Sequence, residues 1–269
     1  MKVRVISGIV LVIIMASALL CGSWYLYLLC LGISLIGMYE LYRVIGKEKS
    51  LPAAAGYLSA VLYYAAIVFG FEQYSMLVIV FCFMVVMSIY VFTFPKYKSQ
   101  DAMLIFFGLI YVAVMLSYIC KVRMMEDGIY IVWLIFIASW VNDTFAYFTG
   151  VLLGKHKMAP VLSPKKSVEG AVGGILGAAV LGAVYGYFMR GHMSGVIGSP
   201  VITFAAAGLA GAILAIVGDL AASAIKRDNN IKDYGKLIPG HGGVLDRFDS
   251  VIYTAPAVYW SVFVINSIM

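Results

Sequence analysis

The chain has 269 residues, of which 63% are hydrophobic and only 12% are charged, with a net charge of +6. Soluble globular domains carry about 25% charged residues, so this composition excludes a soluble enzyme and indicates an integral membrane protein. The basic excess then reflects cytoplasmic loops and anionic lipid, and no nucleic-acid partner is expected. The four cysteines lie in or beside apolar segments without metal-ligand spacing, so we predict neither a zinc site nor a disulfide framework.

Nine apolar segments follow one another along the chain, each close to the roughly 20 residues that span a bilayer. They cover residues 3–21, 23–42, 52–71, 75–94, 102–120, 129–153, 170–189, 199–222 and 250–268. The first begins like a signal peptide, but Leu20 before Cys21 argues against cleavage, so we expect it to be retained. The predicted fold is therefore an all-α, polytopic membrane protein with about nine transmembrane helices.

The distribution of basic residues predicts the orientation of these helices. With the N-terminus in the cytoplasm, 16 of the 19 Lys and Arg residues fall on the cytoplasmic side and 3 fall outside. This asymmetry favours a cytoplasmic N-terminus and an external C-terminus. It also places the two long polar loops, 154–169 and 226–249, in the cytoplasm.

The last third of the chain differs in composition from the first part. Small residues recur every four positions on the seventh and eighth segments, a spacing that lets helix backbones approach closely. They are Gly170, Gly174, Ala178, Gly182 and Gly186 on the seventh, and Ala207, Gly211 and Ala215 on the eighth. We predict that residues 129–269 form the catalytic region and that the helices of 1–128 are peripheral to the site.

The four-residue ridge of the eighth segment continues into Asp219, Ser223 and Arg227. A carboxylate inside a membrane helix costs roughly 2.5–3.5 kcal/mol at the helix centre, so Asp219 should face protein, water or a cation. Asp143, on the sixth segment, is a second carboxylate inside a membrane helix and should likewise face protein, water or a cation. We favour a shared cation or substrate site, and a structural ion pair of Asp219 with Lys226 or Arg227 is the alternative.

A glycine-rich turn, Pro239–Gly243, precedes Asp246 and Asp249 at the start of the last segment. Its N–H groups are suited to phosphate oxygens, and the i, i+3 spacing puts both acids on one helix face. Capping of the helix dipole is the simpler alternative. The basic residues near this turn are Lys226, Arg227, Lys232, Lys236 and Arg247.

The earlier loop carries four lysines near serine and glycine donors: Lys155, Lys157, Lys165 and Lys166. It lacks the glycine-lysine pattern of a nucleotide-binding Walker loop, and a simple positive-inside anchor is the alternative. His156 is predicted to be a loop histidine without a partner. Carboxylates, fixed bases and a glycine turn together are the groups that phosphoryl or nucleotidyl transfer requires.

The polar stretches resemble the signature of the phosphatidate cytidylyltransferase (CDP-diacylglycerol synthase) family. The matching positions are Ser223, Lys226-Arg227, Lys232-Asp233, Pro239, His241-Gly242-Gly243, Asp246-Arg247 and Asp249. An earlier block also matches at Asp143–Tyr147, Gly154–Lys157 and Ser163–Gly170. It departs at Phe145, where glycine is usual, and at Ser167-Val168, where Thr-Trp is common, which puts local packing rather than chemistry in doubt. The resemblance covers the chain from about residue 140 onwards.

The resemblance implies transfer of CMP from CTP to phosphatidate, with Mg²⁺ and with K⁺ as a candidate second cation, at the cytoplasmic face of the inner membrane. It implies Asp219 and Asp246 as metal ligands, with Asp249 and Asp143 as further candidates. Catalytic roles are expected for Asp219, Asp246, Lys226 and Arg227. Substrate contacts are expected from Ser163, Lys165, Lys166, Ser223, Lys232, Asp233, Lys236, His241, Gly242, Gly243 and Arg247. The lipid bilayer is the expected environment, and a homodimer is a further expectation.

Other functions fit the sequence less well. A CDP-alcohol phosphotransferase would need Asp-Gly followed by Ala-Arg, whereas Asp127-Gly128 has no Ala-Arg after it. A CTP-dependent lipid kinase would need a different motif. An ion-coupled transporter would use Asp143 and Asp219 as intramembrane cation ligands, but transporters often show repeats and Gly/Pro-broken helices in both halves. We expect the intramembrane acids and the glycine-rich turn only in the C-terminal half, which disfavours transport.

Overall fold

The computed structural model describes residues 2–195 and 197–268, apart from the side chains of 2–5 and 268. Helices dominate this part of the chain, which confirms the all-α prediction. Their bounds are α1 Lys2–Cys21, α2 Ser23–Arg43, α3 Leu51–Val68, α4 Ser75–Phe92, α5 Ser99–Met124, α6 Gly128–Leu153, α7 Val168–Met189, α8 Pro200–Asp228 and α9 Leu245–Ile268. Within the described residues, eight helices from α2 onwards are long and apolar enough to cross a membrane, and α1 contributes a shorter apolar stretch, Ile6–Cys21.

The predicted segments correspond one to one with these helices. The Lys2 and Arg4 side chains, which the charge count places in the cytoplasm, lie outside the described residues. The break at Gly22 is confirmed, because this residue separates α1 from α2 with a φ of 61°, a conformation that favours glycine. The largest differences in boundary are at α8, which continues to Asp228, and at α9, which begins at Leu245.

The helices group into two compact units. The first contains the residues up to Ser117 together with Ile231–Arg247, and the second contains Tyr118–Asn230 together with the residues from Phe248 on. The division of the chain into a peripheral part, 1–128, and a catalytic part, 129–269, stays a prediction. The first unit nevertheless includes most of the second polar loop.

The first unit has a core of buried tyrosines. Tyr42, Tyr63 and Tyr64 are almost fully buried, and the Tyr42 hydroxyl donates to the Ile105 carbonyl oxygen at 2.7 Å. The Tyr64 and Ser34 hydroxyls are hydrogen-bonded at 2.9 Å. The polar tips of Tyr42 and Tyr64 thus have partners inside the apolar bundle, as burial of a hydroxyl requires. By contrast, α4 is largely exposed along its length, consistent with a lipid-facing helix.

The second unit is built on close backbone approach between α7 and α8. A Cβ atom added to Gly182 would overlap the Phe204 carbonyl oxygen, and one added to Gly208 would lie 2.8 Å from the Ala178 carbonyl oxygen. The ridge on α7 therefore allows close approach as predicted, although Gly208 lies one position after Ala207 of the ridge predicted on α8. Gly177 leaves room for the Phe145 ring, so the departure at Phe145 from the usual glycine is matched by a glycine on α7.

A two-stranded antiparallel hairpin joins α6 to α7 and was not predicted. Its strands are β1 Lys157–Ala159 and β2 Ser163–Ser167. Both strands are short, and β2 contains a proline and two lysines. They therefore lack the apolar alternation by which strands are recognised in a sequence.

We expect Gly182→Ala to lower the free energy of unfolding by about 1–3 kcal/mol, because the new methyl group meets a backbone carbonyl that cannot move alone. Gly32→Ala is the matched control, since a Cβ at that helical position meets no heavy atom within 4 Å beyond the adjacent backbone of its own helix. Thermal unfolding of the purified proteins in detergent measures both changes. Equal melting temperatures for the two variants would contradict the proposed packing of α7 on α8.

Candidate active site

A cavity of about 550 Å³ lies within the second unit. It is formed by α6, the hairpin, α7 and α8. Its polar lining includes Asn142, Asp143, Lys157, Ser163, Lys165, Lys166 and Asp219. Apolar residues complete the wall, among them Val151, Met158 and Ile216. The cavity therefore combines charged groups with an apolar surface, as a site for an amphiphilic substrate would.

A π-helical segment within α6 precedes Asp143, one of the two acidic residues that line the cavity. Residues Ile137–Val141 adopt this wider helical form, and Asn142 and Asp143 follow directly. Such bulges change the direction of the side chains that follow them and occur frequently at functional sites. Asn142 is 1% exposed, and Asp143 is exposed. Both residues line the cavity.

The hairpin brings Ser163, Lys165 and Lys166 to the cavity, and both of its ends are fixed to α7. At the end of β2, the Ser167 hydroxyl accepts the Gly170 N–H at 3.1 Å and caps α7. Before β1, the Glu169 carboxylate accepts the N–H groups of Lys155 and His156. It also bonds His156 Nδ1 at 2.6 Å. The prediction that His156 has no partner is therefore wrong.

Asp219 lies on α8 among groups of opposite and like charge. It forms an ion pair with Lys166, and the Ser223 hydroxyl donates to its Oδ1 at 3.4 Å. The alternative of an ion pair thus has some support, but the partner is Lys166 of the hairpin rather than Lys226 or Arg227. These contacts place Asp219, Ser223 and Lys166 in one cluster.

Asp249, on α9, belongs to the same group of charges. It interacts electrostatically with Asp219, Lys226 and Asp143. Three carboxylates predicted as metal ligands are therefore neighbours in the second unit. Two basic groups, Lys166 and Lys226, offset part of their negative charge. This is the part of the predicted site that the structure assembles most completely.

Asp246 lies in the first unit and is 5% exposed. Its Oδ2 accepts the N–H of Tyr234 at 2.8 Å and the N–H of Gly243 at 3.0 Å. The His241 N–H donates to the Ile238 carbonyl oxygen at 2.9 Å. The interpretation that the N–H groups of the glycine-rich turn hold phosphate is therefore wrong for His241 and Gly243, which donate within the loop.

The remaining predicted residues are distributed between the two units. His241 Nδ1 is hydrogen-bonded to the Ser7 hydroxyl at 2.9 Å, so α1 holds the tip of the turn. The exposed residues of the predicted set in this region are Arg227, Lys232, Asp233, Lys236 and Arg247. That all of these residues and the cavity form one site stays a prediction.

Sequence reasoning missed Glu40, on α2, which is 3% exposed. Its Oε1 accepts the Val244 N–H at 3.1 Å, and its Oε2 accepts the Leu245 N–H at 2.9 Å. The expectation that the intramembrane acids lie only in the C-terminal half is therefore wrong. A single charged residue in the 23–42 segment was the available signal, because a buried carboxylate needs partners.

The fit of a magnesium ion depends on how many protein ligands it needs. Among the described residues, no three His, Cys, Asp or Glu side chains are arranged to hold a metal ion unaided. Mg²⁺ at nucleotide sites is usually bound by one or two carboxylates and by substrate phosphates. Asp219 and Asp249, which interact electrostatically, are two such carboxylates, so the donor types fit a metal that arrives with a phosphate-bearing substrate.

Comparison with known proteins identifies similar chains over nearly the whole length. The model of the "Cytidylyltransferase family" matches residues 2–265. A protein from Staphylococcus epidermidis named phosphatidate cytidylyltransferase is 30% identical over 259 residues, covering 95% of this chain and 96% of that protein. One of the same name from Bacillus subtilis is 28% identical over 266 residues, covering 97% of each chain.

Asn142 yields a testable prediction, because neither polar atom of its buried side chain has a hydrogen-bond partner among the described residues. We expect Asn142→Leu to raise the free energy of unfolding by about 1 kcal/mol, since it removes an unsatisfied buried amide without loss of volume. Thermal unfolding in detergent measures this effect.

Ser139→Ala is the matched control, because the buried Ser139 hydroxyl already donates to the Ile135 carbonyl oxygen at 2.8 Å. We expect the control to leave stability unchanged or to lower it slightly. A clear loss of stability in Asn142→Leu would mean that the amide is satisfied in the folded protein.

Proposed function

The chain belongs to the cytidylyltransferase family, and from that membership we propose that it transfers CMP from CTP to phosphatidate. The products are CDP-diacylglycerol and pyrophosphate, and the reaction serves phospholipid biosynthesis. Relatives named phosphatidate cytidylyltransferase match 95–97% of the chain, so the proposal applies to nearly all of the chain rather than to one part of it.

The observation that carries this function is the mixed character of the cavity in the second unit. Lysines and serines on the hairpin, among them Lys165, Lys166 and Ser163, supply cationic and hydroxyl groups for phosphate oxygens. Val151, Met158 and Ile216 supply an apolar wall on the same cavity. A phosphate group attached to acyl chains needs both surfaces, because its tails remain in the bilayer during the reaction.

In the proposed mechanism, a phosphate oxygen of phosphatidate attacks the α-phosphorus of CTP in line. A new P–O–P bond forms, the bond between the α- and β-phosphates breaks, and pyrophosphate carries away the electron pair. No protein nucleophile is required, because a phosphate monoester is already anionic at pH 7. The chain's own task is to hold the two substrates in line and to stabilise the spreading negative charge.

The basic residues of the second unit would contribute to this task by neutralising negative charge. Lys165 and Lys166 would neutralise phosphate oxygens from the hairpin, and Lys226 would do so from the end of α8. Lys166 is paired with Asp219, so its ammonium is already held at the cavity wall. An arriving phosphate would share this lysine with Asp219. Arg227, in the last turn of the same helix, is the further basic candidate.

We assign the magnesium ion to Asp219 and Asp249, with Asp143 nearby. When bound, Mg²⁺ would lower the negative charge on the triphosphate and on the leaving pyrophosphate. Asp246 stays a predicted ligand, and its bonds to Tyr234 and Gly243 give it a second role in ordering the loop. Potassium as a second cation also stays a prediction.

The protein is an integral membrane protein, and we propose that it resides in the cell membrane with its site facing the cytoplasm. The support is the concentration of Lys and Arg in alternate loops, 16 against 3. CTP is a cytoplasmic metabolite, so this orientation brings the cavity to its substrate. A homodimer stays a prediction.

The proposed function is tested by supplying labelled CTP and phosphatidate to the purified protein with Mg²⁺. A labelled lipid should form only when both substrates are present. Pyrophosphate release that does not depend on phosphatidate would contradict the proposal. The absence of any labelled lipid would favour a transporter, for which uptake into vesicles is the corresponding assay.

Asp219→Asn is the sharpest test of the site, because Asp219 lies in the charged cluster without capping a loop. We expect turnover to fall at least about 100-fold, since the variant loses the charge that holds the metal and orients Lys166. Asp228→Asn on the same helix is the control, because that residue is exposed. Near-normal turnover by Asp219→Asn would exclude it as a metal ligand.

Removal of divalent metal provides a second test. We expect chelation by EDTA to abolish transfer and added Mg²⁺ to restore it, because the carboxylates alone leave the triphosphate charge unbalanced. Lipid formation is measured before and after dialysis. Full activity in the presence of excess chelator would contradict the assignment of Mg²⁺.

A further inference from the structure

Glu40 is a buried carboxylate whose partners are backbone N–H groups 204 and 205 residues away in sequence. Leu245 is the first residue of α9 and Val244 directly precedes it, at the helix end where N–H groups lack intrahelical partners. A carboxylate at this position satisfies two of them and complements the helix dipole. Glu40 therefore serves as the cap of α9, although it belongs to α2.

The polar loop is shaped around this carboxylate. A Cβ atom added to Gly243 would lie 2.5 Å from both carboxylate oxygens of Glu40, and one added to Gly235 would overlap the carboxylate. These two glycines thus allow the loop backbone to close directly onto Glu40. A side chain at either position would push the loop away from α2.

Asp246 holds the same loop from the other side. It accepts the N–H groups of Tyr234 and Gly243, while Glu40 accepts those of Val244 and Leu245. Three successive N–H groups, from Gly243 to Leu245, are therefore divided between two carboxylates. If Glu40 loses an acceptor oxygen, the turn next to Asp246 loses one of its fixed points.

Arg43 adds a third contact from the last turn of α2. Its guanidinium donates to the Tyr234 carbonyl oxygen at 2.6 Å, and it lies three residues after Glu40 on the same helix. The Tyr234 residue is thus held at its N–H by Asp246 and at its carbonyl by Arg43. The end of α2 fixes the loop at two places about ten residues apart.

We propose that Glu40 is a positioning residue for the transfer reaction, acting through the Tyr234–Asp246 segment and not by contact with substrate. This inference rests on the proposed function, because the segment carries Asp246, His241 and Gly242, which are expected to serve that reaction. A displacement of about 1 Å in a catalytic group can cost about 100-fold in rate. Glu40 would therefore affect turnover more than it affects substrate binding.

The test compares Glu40→Gln with the wild-type protein in the lipid-forming assay. Glutamine has the shape of glutamate, but its NH₂ group would replace the oxygen that accepts one of the two backbone N–H groups. We expect kcat to fall about 10- to 100-fold, with the KM values for CTP and phosphatidate changing less than about twofold. Glu40→Asp, which keeps the charge, should restore part of the lost turnover.

Limited proteolysis reports on the loop independently of activity. Lys232 and Lys236 are exposed, so trypsin cleavage there measures how firmly the segment is held. We expect faster cleavage at these lysines in Glu40→Gln than in the wild type. Should the wild type form no labelled lipid, the proposed function fails, while faster cleavage would still support the ordering of the loop by Glu40.

Asp101→Asn is the matched control. Asp101 is another buried carboxylate of the first unit, 8% exposed, which caps its own helix at Lys98 and pairs with Lys47. Its loss should lower stability without changing kcat or the cleavage at Lys232 and Lys236. If Glu40→Gln reproduces this pattern, Glu40 is merely structural and the proposal is overturned.

Other outcomes would also overturn it. Unchanged kcat in Glu40→Gln, or a raised KM at constant kcat, would exclude a positioning role. If Glu40→Gln does not fold, Arg43→Gln tests the same idea, because it removes the second fixed point on α2. We then expect a smaller fall in kcat with faster cleavage at Lys236, and wild-type values of both would overturn the proposal.

Discussion

Burial of carboxylates among apolar helices is the constraint on which this structure depends. The chain has only 13 acidic residues, and those that lie within the helical bundle need a donor or a cation. Glu40 and Asp246 accept backbone N–H groups, whereas Asp219 pairs with a lysine. Each of these contacts joins a helix to another segment of the chain. The acids therefore organise the polar loops as much as they equip a site.

The two units use this constraint differently. In the first unit, carboxylates bind main-chain groups and fix the shape of a loop, so their effect is geometric. In the second unit, Asp219, Asp249 and Asp143 lie together near lysines, so their effect is electrostatic. Nucleotidyl transfer needs both kinds of contribution, because substrates must be aligned and charge must be neutralised.

Much of the fold could be predicted from the sequence, because apolar runs of about 20 residues are a strong local signal. The nine segments, the break at Gly22 and the small-residue ridges all follow from such local patterns. The members of the charged cluster were also predictable, since Asp219 and Asp143 are unusual within apolar segments.

Local patterns could not predict which residues distant in sequence contact each other. Nothing near Asp219 in sequence indicates Lys166, and nothing near Glu40 indicates Val244, because these contacts join residues far apart in the chain. The hairpin was missed for a related reason: a five-residue strand with two lysines lacks a periodic signal.

The hairpin between α6 and α7 has a further consequence for how its lysines work. It is short, it is paired along its strands, and it is fixed to α7 at Ser167 and Glu169. A lysine on a flexible loop samples many positions, and binding a phosphate would restrict it to one of them at a cost in conformational entropy. Lys165 and Lys166 start from a narrow range of positions, so most of that entropy is already lost when the protein folds. The hairpin thus behaves as part of the wall of the cavity and not as a flexible arm. The hairpin and its lysines then need little rearrangement when a charged lipid headgroup binds in the cavity.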